Sequence, residues 1–409
     1  MDERRTTPGG VRWLYAMVGL VVLLFAGFVY GWSVFASPIG ADFPHWSKAQ
    51  LSLTFTICMA CFCLGGFFAG NLAKKVNIRI NVYIAAILFL GGFFLVSRVN
   101  TLPMLYLSYG VLCGFGSGFA YNAVMSTMTK WFPERQGLIS GILLMGFGSS
   151  SMILGSVFTA VTPPVAGAWR NTFLVMGVVI AAVLVAGSFF FKLPPVSLSP
   201  AAKARGDGTG RDFSPAEMVR TGSFWLFFLW AILISGIGLA VISQAKPFAA
   251  EVGGGVDVSV ITLVVGFISI CNGLGRLLFG GLFDKLGWKK TMTIVNAVSL
   301  LGVLVLAAAL FTKSFPLVAA GFIITGVAYG GAPTMGSAFI AKFYGQKNYP
   351  VNFSIGNMNL LVASFSGTLA GALYDASGNY LSTLIAIGAC SLAAFLILAL
   401  IRQPGRTSL

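Results

Sequence analysis

Charged residues are scarce in this chain of 409 residues. Asp, Glu, Lys and Arg together make up 9% of it, whereas soluble domains contain about a quarter. Together with 57% hydrophobic residues and a mean hydropathy of +0.89, this scarcity excludes a water-soluble fold. A helix needs roughly 20 consecutive apolar residues to cross a membrane, and such runs recur from end to end. The sequence therefore predicts a polytopic membrane protein.

Histidine and acidic residues are also in short supply, with one His and 11 Asp and Glu. All six cysteines lie within apolar runs. The closely spaced Cys58, Cys61 and Cys63 have no histidine or carboxylate beside them, and thiols in such places behave as small hydrophobes. The apolar runs also lack the paired carboxylates or nucleophile sets of an enzyme. We expect no metal, no cofactor and no catalysis.

Apolar runs bounded by charged or turn residues occur twelve times. Each can cross a hydrocarbon core of about 30 Å as a helix, and helices satisfy their own backbone polar groups in lipid. The runs cover residues 14–38, 51–73, 80–97, 102–129, 137–162, 172–191, 224–245, 258–283, 291–311, 315–341, 350–374 and 380–401. The predicted fold class is therefore an all-α protein with twelve transmembrane helices.

The positive charges are distributed unevenly between the two sides of these runs. If the N-terminus is cytoplasmic, 20 of the 26 Lys and Arg lie on the cytoplasmic side. Those on the outer side are Lys48, Arg98, Arg170, Lys246 and Lys313. Because basic residues accumulate in cytoplasmic loops, we expect both termini on the cytoplasmic side. The expected location is a cell membrane, either the bacterial inner membrane or a plasma membrane. The net charge of +15 then faces lipid headgroups, not nucleic acid.

The sequence predicts two repeated halves. A polar stretch rich in Pro and Gly separates them, which predicts domains at 1–192 and 223–409 with a cytoplasmic linker at 193–222. Related features recur at offsets near 210, as Pro38 and Pro247 do. Two six-helix repeats in parallel orientation are typical of the major facilitator architecture, whose halves rock about a central site.

Arg276 is the one charged residue well inside an apolar run, and no run supplies an acidic partner. A guanidinium at that depth costs several kcal/mol and faces a cavity or a functional partner. Its repeat equivalent is Gly66, so the architecture does not require it. Its planar fork suits a carboxylate, and Asn272 lies one turn earlier on the same face. The alternative is that Arg276 snorkels to the headgroups.

Aromatic residues in several runs are candidates for the wall of a substrate cavity, because a tyrosine hydroxyl can donate to an anion while its ring excludes water. Helix packing is the alternative for each. The candidates are Tyr30, Tyr121, Tyr329 and Phe353.

Three longer motifs resemble one branch of the major facilitator superfamily. Residues 30–38, 130–141 and 272–276 are similar to the oxalate/formate antiporters, which border the monocarboxylate transporters, and residues 281–290 resemble the superfamily's loop between helices 8 and 9. The resemblance implies that Arg276 binds a substrate carboxylate. It also implies that a gate is braced by Asp284, Lys285, Lys289, Glu134 and Arg135. The corresponding loop of the first half, between helices 2 and 3, has Lys74 where an Asp is expected.

The chain departs from the oxalate-exchanging relatives at one position and from the animal monocarboxylate transporters at another. Oxalate-exchanging relatives carry a second cation on helix 11, where this chain has Gly356. One cation balances one carboxylate, so we expect a monocarboxylate such as lactate or pyruvate, with formate or acetate also open. Animal monocarboxylate transporters have an Asp where this chain has Asn272, so their proton relay does not carry over.

The transport mode stays open between two mechanisms. The resemblance suggests proton symport, with Asp257, Asp375 or the substrate itself carrying the proton. Exchange of one carboxylate for another is the rival, because it avoids reorienting an empty Arg276. A receptor or a membrane enzyme on the same scaffold is the alternative class. We expect a monomer whose partners are a small carboxylate, protons and membrane lipid.

Overall fold

The computed structural model describes residues 9–192, 194 and 212–403, and every regular element in these ranges is helical. The chain forms two compact units. The first comprises Met1–Ile139 and Gly146–Gly206, and the second comprises Ser140–Met145 and Asp207–Leu409. Residues 193 and 195–211 of the predicted linker lie outside the described residues.

The first unit is built mainly from eight helices. They are α1 (Gly9–Ala26), α2 (Trp32–Asp42), α3 (Lys48–Leu72), α4 (Ile78–Val96), α5 (Leu102–Leu105), α6 (Gly114–Trp131), α7 (Gln136–Val161) and α8 (Trp169–Ser188). A 3₁₀ segment, Gly27–Gly31, joins α1 to α2, and a π-helical segment, Tyr106–Cys113, joins α5 to α6. The short segment Ser140–Met145 of α7 groups with the second unit.

Among its described residues, the second unit contains eight further helices. They are α9 (Pro215–Val219), α10 (Gly222–Gly253), α11 (Val258–Thr312), α12 (Phe315–Tyr344), α13 (Tyr349–Asn357), α14 (Asn359–Ala363), α15 (Ser366–Ser377) and α16 (Leu381–Leu400). Local capping explains two of the starts. Ser214 forms a capping box with Glu217 at α9, and the Thr221 hydroxyl accepts from the Phe224 amide at α10.

All twelve predicted runs are helical, and ten described segments are long and apolar enough to cross a membrane. Two differences explain why the structure has ten such segments and the sequence twelve predicted runs. Helix α11 takes in two predicted runs, which meet at Gly287, whose φ of 77° and ψ of 169° are not helical. The run at 350–374 is divided among α13, α14 and α15, each shorter than 18 residues.

Aromatic side chains fill the interior of each unit. In the first, Phe28 stacks on Phe35 at 4.2 Å, and the nearby Tyr109 hydroxyl donates to the Val29 carbonyl at 2.9 Å. In the second, the rings of Phe227 and Phe339 stack at 4.0 Å. Burial of side chains this large is a main source of stability in a packed interior.

Candidate substrate-binding site

Arg276 lies in α11 with only 7% of its surface exposed. Its Nε donates to the Asn272 side-chain oxygen at 3.2 Å, and its Nη1 donates to the Leu144 carbonyl. In the part of the chain that the structure describes, no Asp or Glu forms an ion pair with it. The guanidinium is therefore held by two neutral acceptors and retains an unbalanced charge.

The backbone of Arg276 is fixed by close helix contacts on two sides. A Cβ atom at Gly330 of α12 would lie 2.3 Å from the Asn272 carbonyl oxygen and 2.6 Å from the Arg276 nitrogen. One at Gly141 of α7 would lie 2.3 Å from the Arg276 carbonyl oxygen. Glycine permits this approach because it has no side chain. A side chain held this way and buried does not match the exposed group that snorkelling would require.

Two of the predicted aromatic residues lie in the same unit as Arg276. Tyr329 is buried one residue before Gly330 and lies close enough to Arg276 to interact with its charge. Phe353 is buried in α13 and stacks on Tyr349 at 5.2 Å. Phe353 also borders a small cavity with Gly356. The structure therefore brings Arg276, Asn272 and Tyr329 together.

The other two predicted aromatic residues belong to the first unit, where they surround one ring. The ring of Phe147 lies 5.2 Å from Tyr30 and 4.9 Å from Tyr121. Tyr121 is buried and also contacts Phe62 at 5.1 Å. Such a tyrosine pair is compatible with helix packing and with a ligand wall.

Three of the predicted gate residues lie beside the kink within α11, and the other two directly precede α7. Asp284, Lys285 and Lys289 flank Gly287, the turn within α11. Glu134 forms an ion pair of 2.5 Å with Arg12, whose guanidinium also lies 4.6 Å from the centre of the Phe132 ring.

Arg135 immediately precedes α7, and its backbone amide donates to the Phe132 carbonyl at 3.0 Å. The pairing of Arg12 with Glu134 carries no sequence signal, because 122 positions separate the two residues.

The predicted proton carriers, Asp257 and Asp375, belong to the second unit. Asp257 directly precedes α11, where its carbonyl accepts from the Ile261 amide at 3.1 Å. Asp375 is exposed in α15. The neighbouring Tyr374 lies close to Glu251. Sequence reasoning missed Glu251 because the predicted run ends at residue 245, whereas α10 continues to 253.

Comparison with known sequences identifies the family. The sequence profile of the Major Facilitator Superfamily matches residues 18–254 and 231–408. The chain belongs to this superfamily. The uncharacterized MFS-type transporter YhjX of Escherichia coli (strain K12) is 32% identical over 352 residues, which cover 84% of this chain and 83% of that protein.

Other relatives identify the branch and the fold. The oxalate:formate antiporter of Oxalobacter formigenes is 28% identical, covering 83% of this chain and 80% of that protein. Monocarboxylate transporter 12-B of Danio rerio is 24% identical, covering 85% and 77%. The crystal structure of FucP in the outward conformation aligns with a TM-score of 0.71 at 14% identity, covering 95% of this chain and 99% of that one.

These findings confirm the predicted resemblance to the oxalate/formate-like branch that borders the monocarboxylate transporters. This protein is an all-helical transporter that multiple apolar helices embed in the membrane, and it is not an enzyme.

Proposed function

We propose that this superfamily member is a secondary active transporter that moves a small monocarboxylate of the lactate or pyruvate type by alternating access, in symport with a proton. One observation carries the proposal. Arg276 is 7% exposed and has no acidic partner among the described residues. A buried charge without a counter-charge is costly. A substrate carboxylate supplies that counter-charge.

The number of charges favours one carboxylate over two. The resemblance implies a second cation in oxalate-exchanging relatives at the position where this chain has Gly356. A dicarboxylate bound to Arg276 would leave one of its charges without a partner in a desolvated site. Relatives that include an oxalate:formate antiporter and monocarboxylate transporters agree with a small carboxylate as substrate.

The proposed roles follow the chemistry of each side chain. Arg276 binds the carboxylate, and Asn272 holds the guanidinium from the Nε side. Tyr329, Tyr121, Tyr30 and Phe353 line the substrate path. Bracing of the cytoplasmic gate falls to Asp284, Lys285, Lys289, Glu134 and Arg135. The proton is carried by Asp257 or Asp375, or enters with the substrate.

The proposed topology has twelve transmembrane helices in two six-helix halves, 1–192 and 223–409, joined by the linker at 193–222. Both termini are cytoplasmic, and the protein is a monomer in a cell membrane. The 20 basic residues on one side against five on the other support this orientation.

Carboxylate exchange is the second candidate. Asn272, where a carboxylate would be suited to take up the proton, is neutral. An empty site would have to reorient with an uncompensated guanidinium, and exchange avoids that state because a carboxylate is bound in both directions.

Uptake by purified protein in liposomes tests the proposal. Labelled lactate, pyruvate, formate and oxalate are compared for the native protein, Arg276→Lys and Arg98→Lys. Lysine keeps the charge of Arg276 but removes the planar fork, so lactate uptake is expected to fall by at least tenfold. Arg98 is exposed near the end of α4, and its variant serves as the matched control. Lactate uptake by Arg276→Lys at the rate of the native protein would contradict the proposal. A preference of the native protein for oxalate over lactate would also contradict it.

A further inference from the structure

The segment Ser140–Met145 groups with the second unit, whereas the rest of α7 belongs to the first. Two hydrogen bonds one turn apart hold it there. The Leu144 carbonyl accepts from Arg276, and the Ser140 hydroxyl lies 2.6 Å from that of Ser337. Between them, Gly141 lies against the Arg276 backbone. We refer to the segment and these contacts as the α7 clasp.

A chain of hydroxyl groups extends the clasp into α13. The Ser337 hydroxyl, besides its bond to Ser140, lies 2.7 Å from the Tyr349 hydroxyl. All three residues are fully buried. Bonds in such surroundings are strong, and breaking them leaves polar groups without water. The clasp is therefore held by buried hydrogen bonds at both of its ends.

Arg276 does not use all of its donors. Of its five N–H groups, the one on Nε donates to Asn272 and one on Nη1 donates to Leu144, while Nη2 donates to none of the described residues. A carboxylate binds a guanidinium through two parallel N–H groups. Since Asn272 occupies the Nε side, the pair left for a carboxylate is formed by Nη1 and Nη2. Nη1 is the atom that holds the Leu144 carbonyl.

We propose that the Leu144 carbonyl holds the place of the substrate carboxylate on Arg276, and that substrate binding displaces it and releases the α7 clasp. This inference rests on the proposed function. A charged carboxylate forms a stronger hydrogen bond to the guanidinium than a neutral carbonyl does, so the exchange is favourable. Ser140, Ser337 and Tyr349 are positioning residues that hold the segment while the site is empty.

The consequence is a reciprocal coupling between the clasp and the substrate. A ligand that binds only one of two states shifts the protein toward that state, and weakening the other state strengthens the ligand. Weakening the Ser140–Ser337 bond therefore tightens substrate binding. A covalent cross-link between the same two residues prevents substrate binding.

Cysteine cross-linking tests the inference. The double variant Ser140→Cys/Ser337→Cys places two thiols where the two hydroxyl oxygens now lie 2.6 Å apart, and a disulfide requires the two sulfur atoms to approach to about 2.05 Å. We expect oxidation to cross-link the full-length protein without substrate, saturating lactate to slow this reaction several-fold, and the cross-linked form to bind lactate at least tenfold more weakly until it is reduced. The single variants control for the six native cysteines.

A second variant supports the same test without a cross-link. Ser337→Ala removes the buried hydroxyl that contacts both Ser140 and Tyr349, and we expect lactate to bind about threefold to tenfold more tightly. Ser108→Ala is the matched control, since that buried hydroxyl donates only to carbonyls of its own helical turns.

The outcomes separate the two proposals. If lactate binds the native protein but neither slows cross-linking nor binds the cross-linked form more weakly, the clasp inference is wrong and the proposed function stands. If lactate does not bind the native protein, both are wrong.

Discussion

The guanidinium of Arg276 shows how a site can be held in place without being neutralised. The Asn272 oxygen accepts from Nε at 3.2 Å and fixes the direction of the fork, but it carries no charge. A carboxylate at the same position would pair with the arginine and compete with any incoming anion. In the proposed function, Asn272 therefore orients Arg276 and leaves its charge available to the substrate.

This reasoning predicts the effect of Asn272→Asp. Two opposite charges about 4 Å apart attract by about 4 kcal/mol at an effective dielectric constant of 20, so the internal pair is expected to raise the half-saturation concentration for lactate about tenfold or more at neutral pH. Acidification protonates the new aspartate, breaks the pair and lowers that concentration again.

The matched control is Asn272→Ser, which keeps a short neutral acceptor. The comparison is made by the concentration dependence of uptake across a pH series. Equal half-saturation for the Asp and Ser variants at neutral pH would show that Arg276 does not bind the carboxylate as proposed.

The sequence is sufficient to predict some of these contacts. Asn272 and Arg276 are four positions apart on one helix, and that spacing places their side chains together. The Leu144 carbonyl could not be predicted, because any residue type supplies a backbone acceptor. Ser337 lies 197 positions from Ser140, and only the folded helices bring the two together.

At the scale of helices, the crossing of α11 and α12 depends on paired glycines. A Cβ at Gly275 would lie 2.1 Å from the Val327 carbonyl oxygen, and one at Gly330 would lie 2.3 Å from that of Asn272. Both approaches are closer than real Cβ contacts allow. The helix that carries Arg276 is thus positioned by direct backbone contact.

We predict that Gly330→Ala destabilises the protein and displaces Arg276. Overpacking typically costs about 1–3 kcal/mol, so the thermal unfolding midpoint of the purified protein is expected to fall by several degrees, and lactate uptake by severalfold. Gly336→Ala is the matched control on the same helix, because a Cβ there meets nothing within 4 Å. If both variants unfold at the same temperature, the glycine contact does not position α11.

The run at 350–374 shows why helix continuity is harder to predict than helix existence. Its composition predicts one apolar helix, but the structure interrupts it at Met358. The Asn359 side chain donates to the Gly356 carbonyl at 2.6 Å. Such a bond competes with the backbone pattern of a helix. Hydropathy averaged over the run does not register a local competition of this kind.

At the scale of the whole molecule, a cationic binding site determines which transport cycles are possible. An alternating-access carrier must return its site to the starting side, either loaded or empty. In the proposed cycle, the bound carboxylate neutralises Arg276, so the loaded site reorients easily. Without it, an unbalanced guanidinium must pass through an occluded state, which is costly. Proton symport requires that empty return, whereas exchange does not.

Efflux from preloaded liposomes distinguishes the two cycles. Under the proposed symport, labelled lactate leaves into buffer without substrate, and acidifying the interior accelerates its exit because a proton must leave with each lactate. The Arg276→Lys variant is expected to lose this efflux, which ties it to the carboxylate site, and Arg98→Lys is expected to retain it. Efflux that requires external carboxylate and ignores the pH gradient would assign the protein to exchange, since the empty site would then be unable to return.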